Sequence, residues 1–475
     1  MKPEKMRNPL QQPALSRRAM LQQMGAGFGS LALSALLAEE SLAAGANPLA
    51  LRPTHFSPRA KRVIMLFMFG GPSHIDTFDP KPVLKRDTGK PLPFAGPRVI
   101  SFPRRGGNLI GSPFEFKQHG ESGAWVSEIF PNIAGIVDEL TIIRSMHCSN
   151  PRHGGAVLEW HTGSDTFIRP AMGSWLTYGL GSENQNLPGY ITMCQALAEG
   201  GSNNYGSAFL PAAHQGTPLG HGDVKAKDAT FPFIGNGAAR AKQQRLELDM
   251  LRQVSTRHLE KIGHDDELEA RISTFELAFR MQTEAPEVQD ISSETDATRR
   301  LYGLDDPVTE DFGRQCLMAR RFSERGVRFV QCNSNGWDHH TKLKKKITEK
   351  ASQVDKPIAG LINDLKTRGL LDETLVIWGG EFGRTPTAEN AEGRDHNPHG
   401  FTMWLAGGGM KPGLIYGRTD DYGYYSVENK VHFHDLHATI LHLLGLDHMK
   451  LTYPYAGRDF RLTDVHGEVV HALLA

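Results

Sequence analysis

The 475-residue sequence is poor in cysteine, with Cys148, Cys194, Cys316 and Cys332 only. They are widely spaced and form no C-x-x-C pair, which argues against a disulfide framework and against a thiolate metal cluster. Net charge is also missing, since 53 basic residues balance 53 acidic ones. No overall field draws the chain to nucleic acid or to an anionic membrane surface, so neither is an expected partner. Long apolar runs are absent too. The stretch after Arg18 is glycine-broken and too short for a stable membrane span. No internal repeat or low-complexity block stands out.

Histidine is what the chain has in excess. There are 21, and nine of them lie between His339 and His448. Imidazole at that density points to where chemistry sits.

The first residues read as an address. Ser16 precedes Arg17-Arg18, then comes a Gly/Ala/Ser-rich apolar stretch and the small residues of "SLAAGANPLA". A charged region, a moderate apolar region and an alanine-rich cleavage zone describe an export signal. The paired arginines resemble the twin-arginine type, so residues 1–46 are expected to engage that export machinery. The expected location is periplasmic or extracellular, with the folded domain spanning 47–475.

The rest alternates between strands and helices. "KRVIMLFMFGG" is a buried-strand run closed by glycines, and "LTIIRSM", "VRFVQC", "ETLVIWGG" and "FTMWLAGGG" are further strands. Charged segments over 237–285 carry apolar residues at helical spacing and predict two helices, an insertion around 237–300. Residues 200–235, rich in Gly, Ala and Asn, predict a long surface excursion. Helix–strand alternation after 311 implies a mostly parallel sheet with helices on both sides, a three-layer α/β/α sandwich. Ligands bind such sheets beyond the carboxyl ends of the strands.

Ligand-type residues fall at four of those ends. Ser73, His74 and Asp76 follow the first strand, and Asp338, His339 and His340 follow "VRFVQC". Glu381 follows "ETLVIWGG", and "GRDHNPHGF" offers Asp395, His396 and His399. Carboxylate plus imidazole suits a borderline divalent cation such as zinc, and also manganese or iron, as one ion or two.

"TIIRSMHCSNPRHGGAVLEWHTG", "GVRFVQCNSNGWDHH", "DETLVIWGGEFGRTP", "GRDHNPHGFTMWLAGGG" and "FHDLHATILHLLGLD" together resemble an exported bacterial family, domain of unknown function 1501. Through it they resemble the alkaline-phosphatase/sulfatase superfamily. The resemblance covers residues 60–470 and implies an alkaline-phosphatase-like sandwich. It also implies a metal-dependent hydrolase of sulfate or phosphate esters, using a divalent ion such as zinc, calcium or manganese. The substrate would be a small-molecule or polysaccharide anionic ester.

By this resemblance Glu381 falls on a metal-binding aspartate, while Phe382 replaces the histidine that follows it. Asp338 and His340 match the aspartate and histidine that hold an ion, and His396 or His399 supplies the late histidine. Asp76, or His74, would stand in for the paired aspartates that end the first strand. For the nucleophile the resemblance offers Cys148, from "CSNPR", or His153 by spacing to Thr162-Gly163. Arg152 and Arg384 are expected to hold substrate oxygens. The departures at the first strand and at Phe382 leave a second expectation, an exported binding protein that keeps the fold without turnover.

Overall fold

A computed structural model describes residues 48–94, 107–222, 224–232, 237–263, 265–390 and 392–475. The expected export signal over 1–46 lies outside the described residues. The main strands are β1 (Arg62–Phe69), β2 (Leu140–His147), β3 (Tyr190–Gln195), β4 (Thr217–His221), β5 (Phe329–Asn335), β6 (Thr374–Gly379), β7 (Gly383–Glu389), β8 (Gly393–Asn397), β9 (Phe401–Ala406), β10 (Ile415–Tyr416) and β11 (Val431–His432). The main helices are α1 (His153–Thr162), α2 (Met172–Leu180), α3 (Gly237–Ile262), α4 (Asp266–Gln289), α5 (Glu310–Glu324), α6 (Leu343–Thr367) and α7 (Phe433–Leu443).

Among the described residues nine strands form one sheet in the order β10-β2-β9-β6-β1-β5-β3-β4, with β11 beside β2. Only β9 runs against the rest. The alternation of side chains along β1 shows why the protein has three layers. Ile64, Leu66 and Met68 join a core with Phe312, Leu317, Ile347 and Ile358 of α5 and α6. Val63, Met65 and Phe67 join the opposite core, with Ala156, Trp160, Trp175 and Ile440 of α1, α2 and α7. A strand apolar on both faces is stable only when both are covered, and here helices cover each one. The sandwich expected from the sequence is the observed architecture.

The two charged helices are present as α3 and α4. Leu277, Met281, Ala285 and Val288 of α4 enter the α5–α6 core. The expected excursion over 200–235 differs in part. Its Thr217–His221 segment pairs with β3 as the edge strand β4, and Tyr205, Leu219 and Phe231 are buried. A few large apolar side chains anchor a segment whose glycine content reads as solvated. Among the described residues, no helix is long and apolar enough to cross a membrane.

Strand β1 ends where two backbones meet. Gly70 has φ +116°, and a Cβ there would lie 2.5 Å from the Asp338 amide nitrogen. Only glycine fits both the conformation and the approach. Its N–H donates to both carboxylate oxygens of Glu381, at 3.0 and 3.1 Å. One residue thus sets the depth of the Asp338 loop and the aim of Glu381. Gly70→Ala should destabilise the protein by about 2–4 kcal/mol, read by urea unfolding; a loss below the smaller figure would mean the two loops move apart freely.

Candidate metal centre

The carboxyl ends of β2, β5 and β6, with the β7–β8 hairpin, bring four side chains to one point. One nitrogen each of His153, His340 and His396 and one oxygen of Asp338 all lie within 4.8 Å of one another. His153 opens α1, Asp338 and His340 follow β5, and His396 sits near the end of β8. The Nε2 atoms of His340, His153 and His396 stand 2.8, 3.3 and 3.4 Å from Asp338 Oδ1. His340 Nε2 and His396 Nε2 are 3.0 Å apart.

The far side of each ring fixes its tautomer. His153 Nδ1 lies 2.6 Å from Glu381 Oε1, and His340 Nδ1 hydrogen-bonds to Glu389 Oε2. His396 Nδ1 lies 2.8 Å from the Pro151 carbonyl. Carboxylates and carbonyls only accept, so each Nδ1 carries a proton and each neutral ring presents its Nε2 lone pair to the shared point. Two lone pairs 3.0 Å apart repel unless a proton or a cation lies between them. His153 Nε2 is buried and makes no hydrogen bond despite its nearness to Asp338. Imidazoles anchored through Nδ1 to an acid or a carbonyl, with Nε2 converging on a carboxylate, form the support pattern of a metal ligand set. The residues present fit a divalent cation.

Charges in the cluster follow the same logic. Burial opposes a charge on His153, but Asp338 and Glu381 outweigh it and push its pKa up to about 9. Burial likewise opposes His340, and Asp338 with Glu389 raises it. Burial dominates at His396, whose pKa falls to about 4. Asp338, despite burial, is held far below the carboxylate range by the three histidines and Arg384. Protons therefore occupy in part the place a cation would take.

Several sequence expectations are corrected by the geometry. Asp76 is kept from the cluster by Arg394, whose Nε and Nη2 reach its carboxylate at 2.8 and 3.2 Å, both side chains fully buried. His74 bonds the Gly423 carbonyl at 2.8 Å. His399 packs its ring against Tyr424 and Tyr425 instead of joining the cluster. Arg384 cannot hold substrate, because it is fully buried and its nitrogens bond the carbonyls of Gly70, Gly71 and Arg394 and, at 2.6 Å, Asp338 Oδ1. Cys148 is 6 % exposed, and its thiol donates to the Glu381 carbonyl at 3.4 Å. Burial pushes its pKa up, so it stays a thiol rather than a nucleophile. Glu381 stands behind His153 rather than in the cluster, and His153, expected as a nucleophile, joins it. Arg152 is exposed at the N-cap of α1, and no hydrogen bond to its guanidinium is found among the described residues.

Glu389 escaped the sequence reading, and Phe382 entered it only as the replacement of a histidine. Glu389 backs His340, and Phe382 stacks on His396 at 4.4 Å and lies 4.9 Å from the His153 ring. The signal for Glu389 was present in "GRTPTAENAEGRDHN", where a polar Asn/Gly turn joins two segments as a hairpin.

A cation must displace the His153 proton to use its Nε2. Affinity of the metal-stripped protein for zinc should therefore rise about tenfold per pH unit between pH 6.5 and about 9, then level off, as read by chelator competition. In the stripped protein the sign for stability is opposite. The folded-state pKa of His153 exceeds its ordinary 6.5, so its contribution is complete below 6.5 and is lost as pH rises through about 9. Asp76→Ala leaves Arg394 buried without its partner and should cost about 3–5 kcal/mol in the stripped protein, measured by denaturant unfolding; a ligand without a structural role would cost nothing there.

A search of curated proteins finds no sequence match. Solved structures with a similar course include the lipoteichoic acid synthase LtaP from Listeria monocytogenes, at 11% identity and TM-score 0.36, covering 88% of this chain and 78% of that one. The PsFucS1 sulfatase from Pseudoalteromonas sp. has 12% identity and TM-score 0.33 over 82% and 68%. The alkaline phosphatase from the Antarctic bacterium TAB5 has 10% identity and TM-score 0.32 over 82% and 98%. Likenesses of this size carry no chemistry across. The model of the family described as "Protein of unknown function (DUF1501)" matches residues 60–474, most of the chain, and the protein belongs to that family.

Proposed function

We propose that the protein is a divalent-metal-dependent hydrolase of sulfate or phosphate esters that acts outside the cytoplasm. The observation that carries the reading is the convergence of three imidazole Nε2 atoms on Asp338, each ring anchored from behind through Nδ1. His153, His340 and His396 would hold the ion through Nε2, and Asp338 through a carboxylate oxygen. Three nitrogens and one oxygen form a donor set that favours zinc over calcium. The reading is for one ion. Phe382 stands where the superfamily resemblance would place a further histidine, and Glu381 is engaged by Gly70 and His153 Nδ1.

A divalent ion held by His153, His340, His396 and Asp338 would supply Lewis acidity toward an anionic ester and toward water. Arg384 keeps Asp338 ionised and fixed in place. Phe382 and Phe69 pack against the His153 ring, at 4.9 and 5.9 Å, and hold it in place. Arg152, exposed at the N-cap of α1, is suited to grip the remaining ester oxygens as a fork. With Cys148 held as a buried thiol, the residues support direct attack by water rather than a covalent intermediate. The expected export signal and the anionic class of substrate agree with work outside the cytoplasm.

The test loads the purified protein with zinc and assays 4-nitrophenyl sulfate and 4-nitrophenyl phosphate. One equivalent of metal and hydrolysis of one ester are expected, with kcat lowered at least about 100-fold in Asp338→Ala and His340→Ala. No bound metal, or bound metal without hydrolysis, would end the hydrolase reading and favour the exported binding protein.

A further inference from the structure

The loop between β2 and α1, residues 148–152, touches the metal centre from outside. Its Pro151 carbonyl accepts from His396 Nδ1 at 2.8 Å and so decides which His396 nitrogen keeps its proton. The Cys148 N–H donates to the Pro398 carbonyl at 2.9 Å, a second strap to the same segment. Ser149 lies between the two straps. Proline has no N–H of its own, so the Pro151 end of the loop depends on how its neighbours are held.

Ser149 is gripped by Glu159, a buried acid of α1. The Ser149 N–H donates to Oε2 at 2.9 Å, and its hydroxyl donates to Oε1 at 2.7 Å. One carboxylate thus fixes both the backbone and the side chain of that residue. Burial pushes the Glu159 pKa up, but His432 and Ser149 outweigh it and hold it below the ordinary value. A buried ionised acid is kept only where donors surround it, and here those donors tie α1 to the loop.

His432 completes the grip. Strand β11 sets it beside His147 at the end of β2. Its Nδ1 accepts from the His434 N–H at 3.2 Å, so the neutral ring carries its proton on Nε2, 3.3 Å from Glu159 Oε1. Glu159, His432 and His434 also gather ligand-type atoms within 4.8 Å. The tautomer separates this group from the metal centre. A ring that presents N–H has no lone pair there for a cation, so Glu159 is engaged by donors rather than offered to an ion.

Glu159 therefore acts at one remove. His153 needs no such help, because it opens the same helix and is fixed by Glu381. His396 comes from the β7–β8 hairpin, and its Nδ1 meets the loop at Pro151. We propose that Glu159 is a positioning residue for the metal centre: by gripping Ser149 it holds the Pro151 carbonyl where it orients His396, and so sets how tightly the cluster binds zinc. This rests on the metal-binding part of the proposed function.

The test measures the zinc affinity of the metal-stripped full chain by chelator competition. Glu159→Ala should weaken zinc binding about 10-fold, and Glu159→Gln, which can still accept the Ser149 N–H, should recover part of the loss. In a His396→Ala background the same change should cost less than about 2-fold, because the side chain it acts through is gone. Ser149→Ala cuts the hydroxyl bond alone and should weaken zinc binding by a smaller factor, again only when His396 is present; it carries the comparison if Glu159→Ala does not fold. Unchanged affinity in these variants, or an equal loss with and without His396, would mean an acid that serves stability only and overturn the proposal. A chain that takes up no zinc would overturn it too, as would a second zinc that disappears in Glu159→Ala. Zinc affinity that depends on Glu159 without ester hydrolysis would support the proposal and end the hydrolase reading alone.

Discussion

One carboxylate oxygen organises the site. Asp338 Oδ1 is approached by three imidazole nitrogens and by the Arg384 guanidinium, and neighbouring structure serves to keep those groups in place. So dense a gathering of donors would be unstable if each were free to turn. Each histidine is instead tethered at its other nitrogen, and Arg384 is locked by three backbone carbonyls. The second layer is what turns four side chains into a preorganised centre, because only it decides which nitrogen keeps its proton. Gly70 belongs to that layer as much as Glu381 does, since its N–H points the carboxylate.

The β7–β8 hairpin concentrates this support. It lies outside the main sheet yet supplies Arg384, Glu389 and His396, a clamp, a backing acid and a cluster member on one ribbon. Its own position is fixed by the buried Asp76–Arg394 pair. The first strand therefore does contribute an acid to the centre, but at one remove, through the hairpin it anchors.

Much of this was legible in the sequence. Apolar runs marked β1, β5, β6 and β9, and the alternation with helices gave the layered architecture. Asp338 and Glu381 were visible because acids directly after such runs stand at the functional edge of a parallel sheet, and His396 was one of the two histidines offered by "GRDHNPHGF" ahead of β9. What could not be read is direction. Nothing in "EFGRTP" tells whether Arg384 points to solvent or into the protein, and nothing near Asp76 announces a partner 318 residues away. Ring-nitrogen roles are illegible for the same reason, since the partner that sets a tautomer is chosen by tertiary packing.

The separation along the chain of His153, Asp338 and His396 has a consequence for the order of events in biogenesis. Residues 153, 338–340 and 396 meet only after the central strands are registered and the hairpin has closed over them, so a partially synthesised chain contains no pocket for a cation. A cation held by these residues would therefore be taken up only by a chain that is already folded.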